Sequence, residues 1–208
     1  MSNLPSWLQP IGELTNNLTA TDLGEFAAKF RPDAKQAAVL ILFAELEGSA
    51  SLLFTQRSSN LVHHPSQIAF PGGEIDVTDL TASDAALREG LEEVNLNPES
   101  VYVIGELPKV EVAVSGYQVV PVLAYWEQPH QVFAANVDEV FDVFTVPIEQ
   151  LVADSNRVWV RRGDKYKGPG FLINQRLIWG FTGTLLSVIL EEAGLVSDLV
   201  NRKEVEVD

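Results

Sequence analysis

Residues 70–96, FPGGEIDVTDLTASDAALREGLEEVNL, form the most informative segment of the chain. It opens with a Pro-Gly-Gly turn, in which the paired glycines let the backbone approach a ligand closely. A helix is predicted over residues 84–94, and Thr81 with Asp84 approximates a capping box at its start. We therefore expect a tight loop that leads directly into one well-capped helix.

Three glutamates share one face of that helix. Glu89, Glu92 and Glu93 have the spacing i, i+3, i+4 and fall within about 100° of one another. Like charges this close repel, so the helix tolerates them best when a cation lies among them, and a hard divalent cation suits oxygen ligands. The ordinary alternative is a solvated acidic face, which is common in acidic chains.

The opposite face of the helix is apolar. Leu87, Leu91 and Val94 are predicted to point at a core. A glycine inside a helix costs about 1 kcal/mol relative to alanine. Because Gly90 occupies the helix in spite of this cost, we expect another element to pack closely against it.

The whole pattern is more specific than the helix alone. Residues 72–74, GGE, are followed by residues 88–93, REGLEE, with the arginine fifteen positions after Gly73. This arrangement closely resembles the Nudix box of the Nudix hydrolase family. The resemblance implies an α/β fold, a Nudix-like α/β/α sandwich around a mixed central β-sheet. It also implies hydrolysis of a diphosphate assisted by Mg²⁺ or Mn²⁺, with the metal ligands Glu89, Glu92, Glu93 and a backbone carbonyl of Gly72 or Gly73.

A second signature lies immediately upstream. Residues 52–73, LLFTQRSSNLVHHPSQIAFPGG, resemble the signature of the coenzyme A diphosphatase branch. The box spacing is one residue longer than usual, with Asp79 near the place of an early carboxylate, which is similar to the same branch. Ser66 and Asn95 depart from the pattern, since each stands where glycine is usual. The positions that match the branch are Leu53, Thr55, Arg57, Ser58, Leu61, His64, Gln67 and the run from Phe70 to Gly73.

This resemblance implies a substrate and its products. Coenzyme A or an acyl derivative would be cleaved at its diphosphate, giving 4′-phosphopantetheine (or its acyl form) and 3′,5′-ADP. Hydrolysis of ADP-ribose or of another nucleoside diphosphate derivative is the alternative. A non-catalytic ligand-binding module on the same fold is the second alternative, and the intact glutamate set speaks against it.

Several side chains have expected roles beside the metal ligands. Arg57 ends a predicted strand close to the glycine pair, and the resemblance favours a role near the substrate for it, whereas a plain surface charge is the other interpretation. Gln67 either touches the ligand or anchors its loop. Arg88 is expected to anchor the Pro-Gly-Gly loop by pairing with a carboxylate such as Asp79.

The general base is open between two glutamates. Glu89 belongs to the box, and Glu139 lies in residues 136–147, which resemble the family segment that runs from a loop into a strand ending in proline. Many relatives place a further carboxylate beside the metals at this point. An isolated glutamate is more often solvent-facing, so Glu139 ranks below the box glutamates.

The densest positive cluster lies in residues 157–170, which predict a strand, a basic turn and a returning strand. The favoured interpretation is a solvated hairpin. The functional alternative is a substrate-phosphate contact through Arg161 and Arg162, because a guanidinium grips a phosphate with two parallel hydrogen bonds.

Composition restricts the class of protein. The chain has 208 residues, a formal charge of −15 and no cysteine, so nucleic acid and anionic membranes are poor partners. A disulfide framework and a thiolate zinc site are excluded. The first residues lack the basic and apolar regions of a signal peptide, and no apolar run approaches membrane-spanning length. We expect a cytoplasmic enzyme that acts on a small-molecule diphosphate.

The chain divides into a leader with short helices (residues 1–36), a Nudix domain (37–193) and an acidic tail (194–208) that looks frayed from residue 200. In the leader, Trp7 and Leu8 are expected to pack on the core or on a partner subunit, which includes a homodimer among the expected assemblies.

Three elements of the domain are predicted from their patterns. Residues 37–44 suit a strand covered on both faces that pairs with residues 51–57. Pro121 inside residues 118–126 indicates an edge or irregular strand. Residues 178–193 predict a closing helix that turns Leu185, Leu186, Ile189 and Leu190 inward.

Overall fold

The structure is a computed structural model that describes residues 4–23, 26–29, 31, 33–61, 65–112, 115–197 and 202–207. Within those residues, eight strands form one sheet and four form a second. The larger sheet contains β1 (Gln36–Leu46), β2 (Ser49–Arg57), β3 (Ile68–Ala69), β4 (Gly72–Glu74), β5 (Val101–Glu106), β6 (Val110–Val112), β7 (Tyr117–Trp126) and β8 (Val140–Pro147). The smaller sheet contains β9 (Arg157–Arg162), β10 (Tyr166–Ile173), β11 (Arg176–Ile178) and β12 (Lys203–Glu206). The α-helices are α1 (Gln9–Asn17), α2 (Ala82–Val94), α3 (Ile148–Val152) and α4 (Gly180–Glu192).

β1 lies at the centre of the larger sheet and is buried on both faces. Ile41 and Phe43 belong to one hydrophobic core, and Leu40 and Leu42 belong to the other, as the two-residue repeat of a strand requires. β1 pairs antiparallel with β2 and parallel with β7, so the sheet is mixed. The predicted two-sided strand and its hairpin with β2 are confirmed.

Helices cover both faces of this sheet. α2 lies on the side of Leu40 and packs through small residues such as Ala85 and Ala86. α1, α4 and the smaller sheet lie on the side of Phe43. The predicted α/β/α arrangement is confirmed, and the smaller sheet is an addition to it. All four inward leucine and isoleucine positions predicted for α4 are buried.

Of the two expectations drawn from Pro121, an edge strand is wrong, whereas β7 is irregular at this residue because its partner changes there from β5 to β6. β7 lies between β1 and β5 in the interior of the sheet, not at an edge. The Pro121 carbonyl accepts a hydrogen bond from the Leu107 N–H at 2.9 Å, on the side where β5 gives way to β6. The N and C=O groups of a strand residue point to the same side. The side of Pro121 that lacks an N–H donor therefore faces this break, and the hydrogen bonds between β7 and β1 are not affected.

α2 forms largely as its sequence predicts. The Thr81 side chain accepts from Asp84 N–H at 3.0 Å and Asp84 accepts from Thr81 N–H at 2.9 Å, which completes the capping box. Asn95 ends the helix in the left-handed conformation with φ 56°.

The buried face of α2 is turned relative to the prediction. A Cβ on Gly90 would lie 3.1 Å from side-chain carbons of Leu40 and Leu96, so the predicted close packing at this glycine is confirmed. Since the closest approach is centred on Gly90, Leu91 lies about 100° around the helix and is 45% exposed. The expectation that Leu91 points at the core is wrong, whereas Val94 is buried as predicted.

The predicted frayed tail is also corrected. β12 pairs in parallel with β9, with Val205 opposite Val160. Just before β12, the buried Arg202 lies over the ring of Trp159 and donates to Glu191 at 3.2 Å. The sequence Lys-Glu-Val-Glu has no apolar strand pattern that could have predicted this strand. β12 is held by backbone pairing to the side of β9 that β10 does not occupy.

The predicted leader contributes to the same core. Leu8 is fully buried, and Trp7 packs against the rings of Phe43 and Tyr125 at 6.4 Å. Both residues therefore meet the first of their two expectations, packing on the core of their own chain. No helix in the described part of the chain is long and apolar enough to cross a membrane. Part of the leader, for which short helices were expected, falls outside the described residues.

Candidate active site

The Pro-Gly-Gly loop is held against β1. β4 pairs antiparallel with β1, and the Leu40 N–H donates to the Pro71 carbonyl at 2.8 Å. A Cβ on Gly72 would overlap the carbonyl oxygen of Ala38, and a Cβ on Gly73 would overlap the carboxylate of Glu89. The two glycines thus allow the loop to lie between the central strand and the acidic face of α2.

Arg88 connects this loop to α2. Its guanidinium makes two hydrogen bonds to the Asp79 carboxylate, at 2.9 and 3.1 Å, and a third to the Glu74 carbonyl at 2.9 Å. Hydrogen bonding to Arg88 lowers the pKa of Asp79 below its ordinary value. The predicted Arg88–Asp79 pair is therefore present, and it anchors the segment between the glycines and the helix.

Glu93 is the most deeply buried carboxylate of the helix, with 5% of its surface exposed. It accepts a hydrogen bond from the Gly72 N–H at 3.2 Å. Burial raises its pKa to about 8; the charge of Glu89 also raises it, and the charge of Arg57 lowers it. The alternative of a solvated acidic face is therefore wrong for Glu93.

Glu89 and Glu92 lie one helical turn apart beside Glu93. Arg88 donates to Glu89 at 2.8 Å and to Glu92 at 3.3 Å. Burial is the main cause that raises the pKa of Glu89, and hydrogen bonding to Arg88 opposes it. Glu92 faces solvent, with 58% of its side chain exposed.

A fourth carboxylate reaches the site from another part of the chain. The Glu139 carbonyl accepts from the Ser58 N–H at 2.8 Å, which holds the turn before β8 against the end of β2. The Ala135 N–H donates to the Glu93 carbonyl at 2.9 Å, so the same segment is also attached to α2. The charge of Glu139 contributes to the raised pKa values of Glu89 and Glu93.

These groups line one cleft of about 470 Å³. Seven of the predicted site residues meet there, and sequence reasoning missed three others. Asn136 begins the segment that carries Glu139, Leu61 matches the branch signature, and Glu74 is the third residue of the box. None of the three was predicted to be a site residue. The lining residues are Arg57, Leu61, Gly72, Gly73, Glu74, Glu89, Glu92, Glu93, Asn136 and Glu139.

Three predicted substrate contacts are not among them. The Gln67 carbonyl accepts from the Arg57 N–H at 2.9 Å, so Gln67 supports the loop beside the cleft. Arg161 and Arg162 lie at the end of β9 in the smaller sheet, where Arg161 pairs with Glu204 at 3.7 Å. His64 of the branch signature lies outside the described residues.

The donor set fits a hard divalent cation. Three helix carboxylates and the loop backbone supply oxygen atoms only, which suits magnesium or manganese rather than a softer metal. The raised pKa of the buried Glu93 indicates that its charged form lacks sufficient compensation from the protein alone. Within the described residues, no three acidic or histidine side chains are already gathered around one point. Glu89 and Glu92 are instead turned towards Arg88.

Comparison with known proteins agrees with this geometry. The NUDIX domain model matches residues 34–165, which is more than half of the chain. The chain belongs to the Nudix family. It is 38% identical over 174 residues to the uncharacterized Nudix hydrolase NudL of Escherichia coli K12, covering 77% of this chain and 84% of that protein. NudL of Citrobacter koseri is 37% identical with the same coverage.

The fold is shared with solved structures of the family. The MutT protein from Methanosarcina mazei Go1 superimposes with a TM-score of 0.52 at 12% identity, covering 80% of this chain and 98% of that one. As a Nudix hydrolase, the chain is an enzyme that cleaves phosphorus anhydrides, and members of this family generally need divalent cations.

Proposed function

We propose that this Nudix hydrolase cleaves the diphosphate of coenzyme A or acyl-coenzyme A, giving 4′-phosphopantetheine (or its acyl form) and 3′,5′-ADP. The observation that carries the reaction class is the cleft in which five glutamates and Arg57 lie around the Gly72-Gly73 loop. The narrower substrate is supported by the branch signature in residues 52–73. Ser66 departs from that signature, yet it adopts φ 60°, a conformation that glycine takes readily.

Glu89, Glu92, Glu93 and the Gly73 carbonyl would hold Mg²⁺ or Mn²⁺. The bound metal would neutralise phosphate charge and lower the pKa of a water that attacks phosphorus. For this role Glu93 must be ionised, and a cation beside it favours the ionised form against the effect of burial.

Arg57 is suited to bind the diphosphate. Its Nε atom is buried and has no hydrogen-bond partner among the described residues. A phosphate oxygen in the cleft would supply that partner and a compensating negative charge. The lack of a side chain at Gly73 lets the Glu89 carboxylate lie directly against the loop.

Glu139 and Glu89 are the two candidates for the general base. Both line the cleft, but Glu89 is already hydrogen-bonded to Arg88 and would also hold the metal. Glu139 comes from a separate segment, and we propose that it takes the proton from the attacking water. Hydrolysis of ADP-ribose, which has the same diphosphate, is the second candidate function.

A substrate panel tests the proposal. The purified chain is incubated with coenzyme A, acetyl-coenzyme A and ADP-ribose in Mg²⁺ or Mn²⁺, and the products are identified by mass spectrometry. We expect coenzyme A to give 4′-phosphopantetheine and 3′,5′-ADP with the highest kcat/KM. A far higher kcat/KM for ADP-ribose would overturn the coenzyme A assignment and leave the diphosphatase chemistry standing.

Metal dependence is tested in the same assay. Excess chelator should abolish turnover, and Glu92→Gln should lower kcat by a factor on the order of 10² while the fold persists. Glu99→Gln removes an exposed carboxylate outside the cleft and is the matched control. Undiminished turnover in chelator would mean that the glutamate face does not act through a metal.

A further inference from the structure

Phe141 is an exposed aromatic side chain near the start of β8, with 70% of its surface accessible. It follows Glu139 by two residues in the same segment, and Glu139 lines the cleft. The large exposed apolar side chains Val137 and Phe133 lie in that segment as well, at 72% and 52% exposure. Apolar groups concentrated at the edge of a polar cleft are a feature of ligand sites.

A β-bulge places Phe141 at this position. In the β2–β8 pair, Gln56 lies opposite Asp142 and the next residue, Arg57, lies opposite Val140. Phe141 is therefore the additional residue of β8, without a partner on β2. Bulges frequently occur next to active sites, where they redirect a side chain. Here the bulge coincides with Arg57, the residue that we assign to the diphosphate.

The surroundings of Phe141 restrict what it can bind. The cleft is lined by five glutamates of this acidic chain, so an anionic group needs Arg57 or a metal to enter. An uncharged, planar group has no such requirement, and it gains from contact with an aromatic ring. A nucleoside diphosphate derivative has such a group in its base, at a distance from the phosphates that leaves the base at the edge of the cleft.

We propose that Phe141 forms the platform on which the nucleobase of the substrate stacks, with the bulge in β8 fixing its position next to Arg57. This inference rests on the proposed function in one respect, that the substrate carries a base. It does not depend on whether the remainder of the substrate is pantetheine or ribose. Phe141 is thus a specificity-determining residue for the nucleotide half.

Comparison of two ligands distinguishes binding through the base from binding through the phosphate. AMP and ribose 5-phosphate share a phosphorylated ribose, and only AMP has a base. Calorimetric titration of the full chain with each ligand in Mg²⁺ measures the contribution of the base without any turnover. Failure of the coenzyme A assignment would be seen in the substrate panel and would leave this measurement unchanged.

We expect Phe141→Ala and Phe141→Leu to weaken AMP binding by about 5- to 100-fold, the range for one base stacked on an aromatic ring, and to leave ribose 5-phosphate unaffected. Phe141→Trp, which keeps a stacking surface, should retain AMP affinity within about threefold. Leu80→Ala removes another exposed apolar side chain, 91% accessible and outside the cleft lining, and should bind AMP as the wild type does.

Each contrary result would overturn the proposal. Full AMP affinity in Phe141→Leu would indicate an aliphatic contact rather than stacking. Equal losses of affinity for both ligands would place the effect on the phosphate. Unchanged AMP affinity in Phe141→Ala would show that no base binds there, and so would equal wild-type affinities for AMP and ribose 5-phosphate. Because Phe141 is mostly exposed, its variants are expected to fold, and thermal melting verifies this.

Discussion

Glu93 holds a carboxylate on the side of α2 that faces the loop and the sheet, where an apolar side chain would ordinarily be buried. The groups that act on it include one N–H donor, Gly72, the like charges of Glu89 and Glu139, and the opposite charge of Arg57. Burial therefore disfavours ionisation, and the pKa rises to about 8. When Glu93 is ionised, as metal binding requires, it therefore destabilises the metal-free protein.

The stability of the metal-free protein should depend on pH through Glu93. The folded state keeps a proton that the unfolded chain releases above its ordinary pKa of 4.5. This contribution is fully present below pH 4.5 and is lost as the pH rises through about 8. Glu93→Gln, measured in chelator, should gain stability relative to the wild type across that window, by up to about 1.4 kcal/mol per pH unit.

Chemical denaturation at several pH values measures this difference. Glu92→Gln removes the same charge from the exposed side of α2 and is the matched control, which should follow the wild type. If Glu93→Gln and the wild type change in parallel from pH 4.5 to pH 8, Glu93 does not hold a raised pKa. Glu93→Gln should also be inactive if Glu93 is a metal ligand.

At the scale of elements, the β9–β10 hairpin carries the positive cluster that the sequence offers for a second phosphate. Two of its cations pair with β12, since Glu204 lies 2.6 Å from Lys167 and 3.7 Å from Arg161. Lys167 also lies over the ring of Trp159. These contacts favour the structural interpretation of the hairpin, in which its basic side chains attach the C-terminal strand.

Arg161→Ala combined with Arg162→Ala should therefore change KM for coenzyme A and for dephospho-coenzyme A by the same factor. The two substrates differ only in the 3′-phosphate, and kinetic titration of both gives the comparison. A phosphate contact is worth about 1.5–3 kcal/mol. A selective loss for coenzyme A of more than about tenfold would show that the hairpin binds the 3′-phosphate after all.

At the scale of the whole molecule, the C-terminal segment and α4 are joined through one carboxylate. Glu191 accepts from Arg157 and from Arg202, each at 3.2 Å, and from Ser187 at 2.9 Å. The two arginine side chains are 1% and 2% exposed, so their charges depend on partners within the protein.

Replacing Glu191 by Gln should lower the free energy of unfolding by about 2–3 kcal/mol, less than for a fully buried pair because the glutamate is 34% exposed. Thermal and urea denaturation give the value. Glu192→Gln, at the exposed adjacent position of the same helix, should change stability by less than about 0.5 kcal/mol. Equal stability of the two variants would mean that the buried arginines are compensated by other groups.

Much of the active site was predictable because it is local in the sequence. The glutamates follow from helical spacing, the capping box from two residues three apart, and the Arg88–Asp79 pair from their positions in one box. Glu139 was predictable only through family resemblance, since an isolated glutamate carries no signal of its own. Asn136 was missed as a lining residue because no pattern distinguishes it, whereas Leu61 and Glu74 belong to the two signatures, which do not indicate that their side chains line the cleft.

The family, the α/β fold, the capped helix and the residues of the acidic face could all be predicted from the amino-acid order, because each depends on spacing along one short segment. Which side of α2 is buried depends instead on contacts between distant segments. The contact of Gly90 with Leu40 turns Glu93 inward and Leu91 outward, and a helical wheel does not contain that contact. Tertiary pairing likewise placed Pro121 in the sheet interior and β12 on β9, since backbone hydrogen bonds between distant segments leave no periodic pattern in the chain.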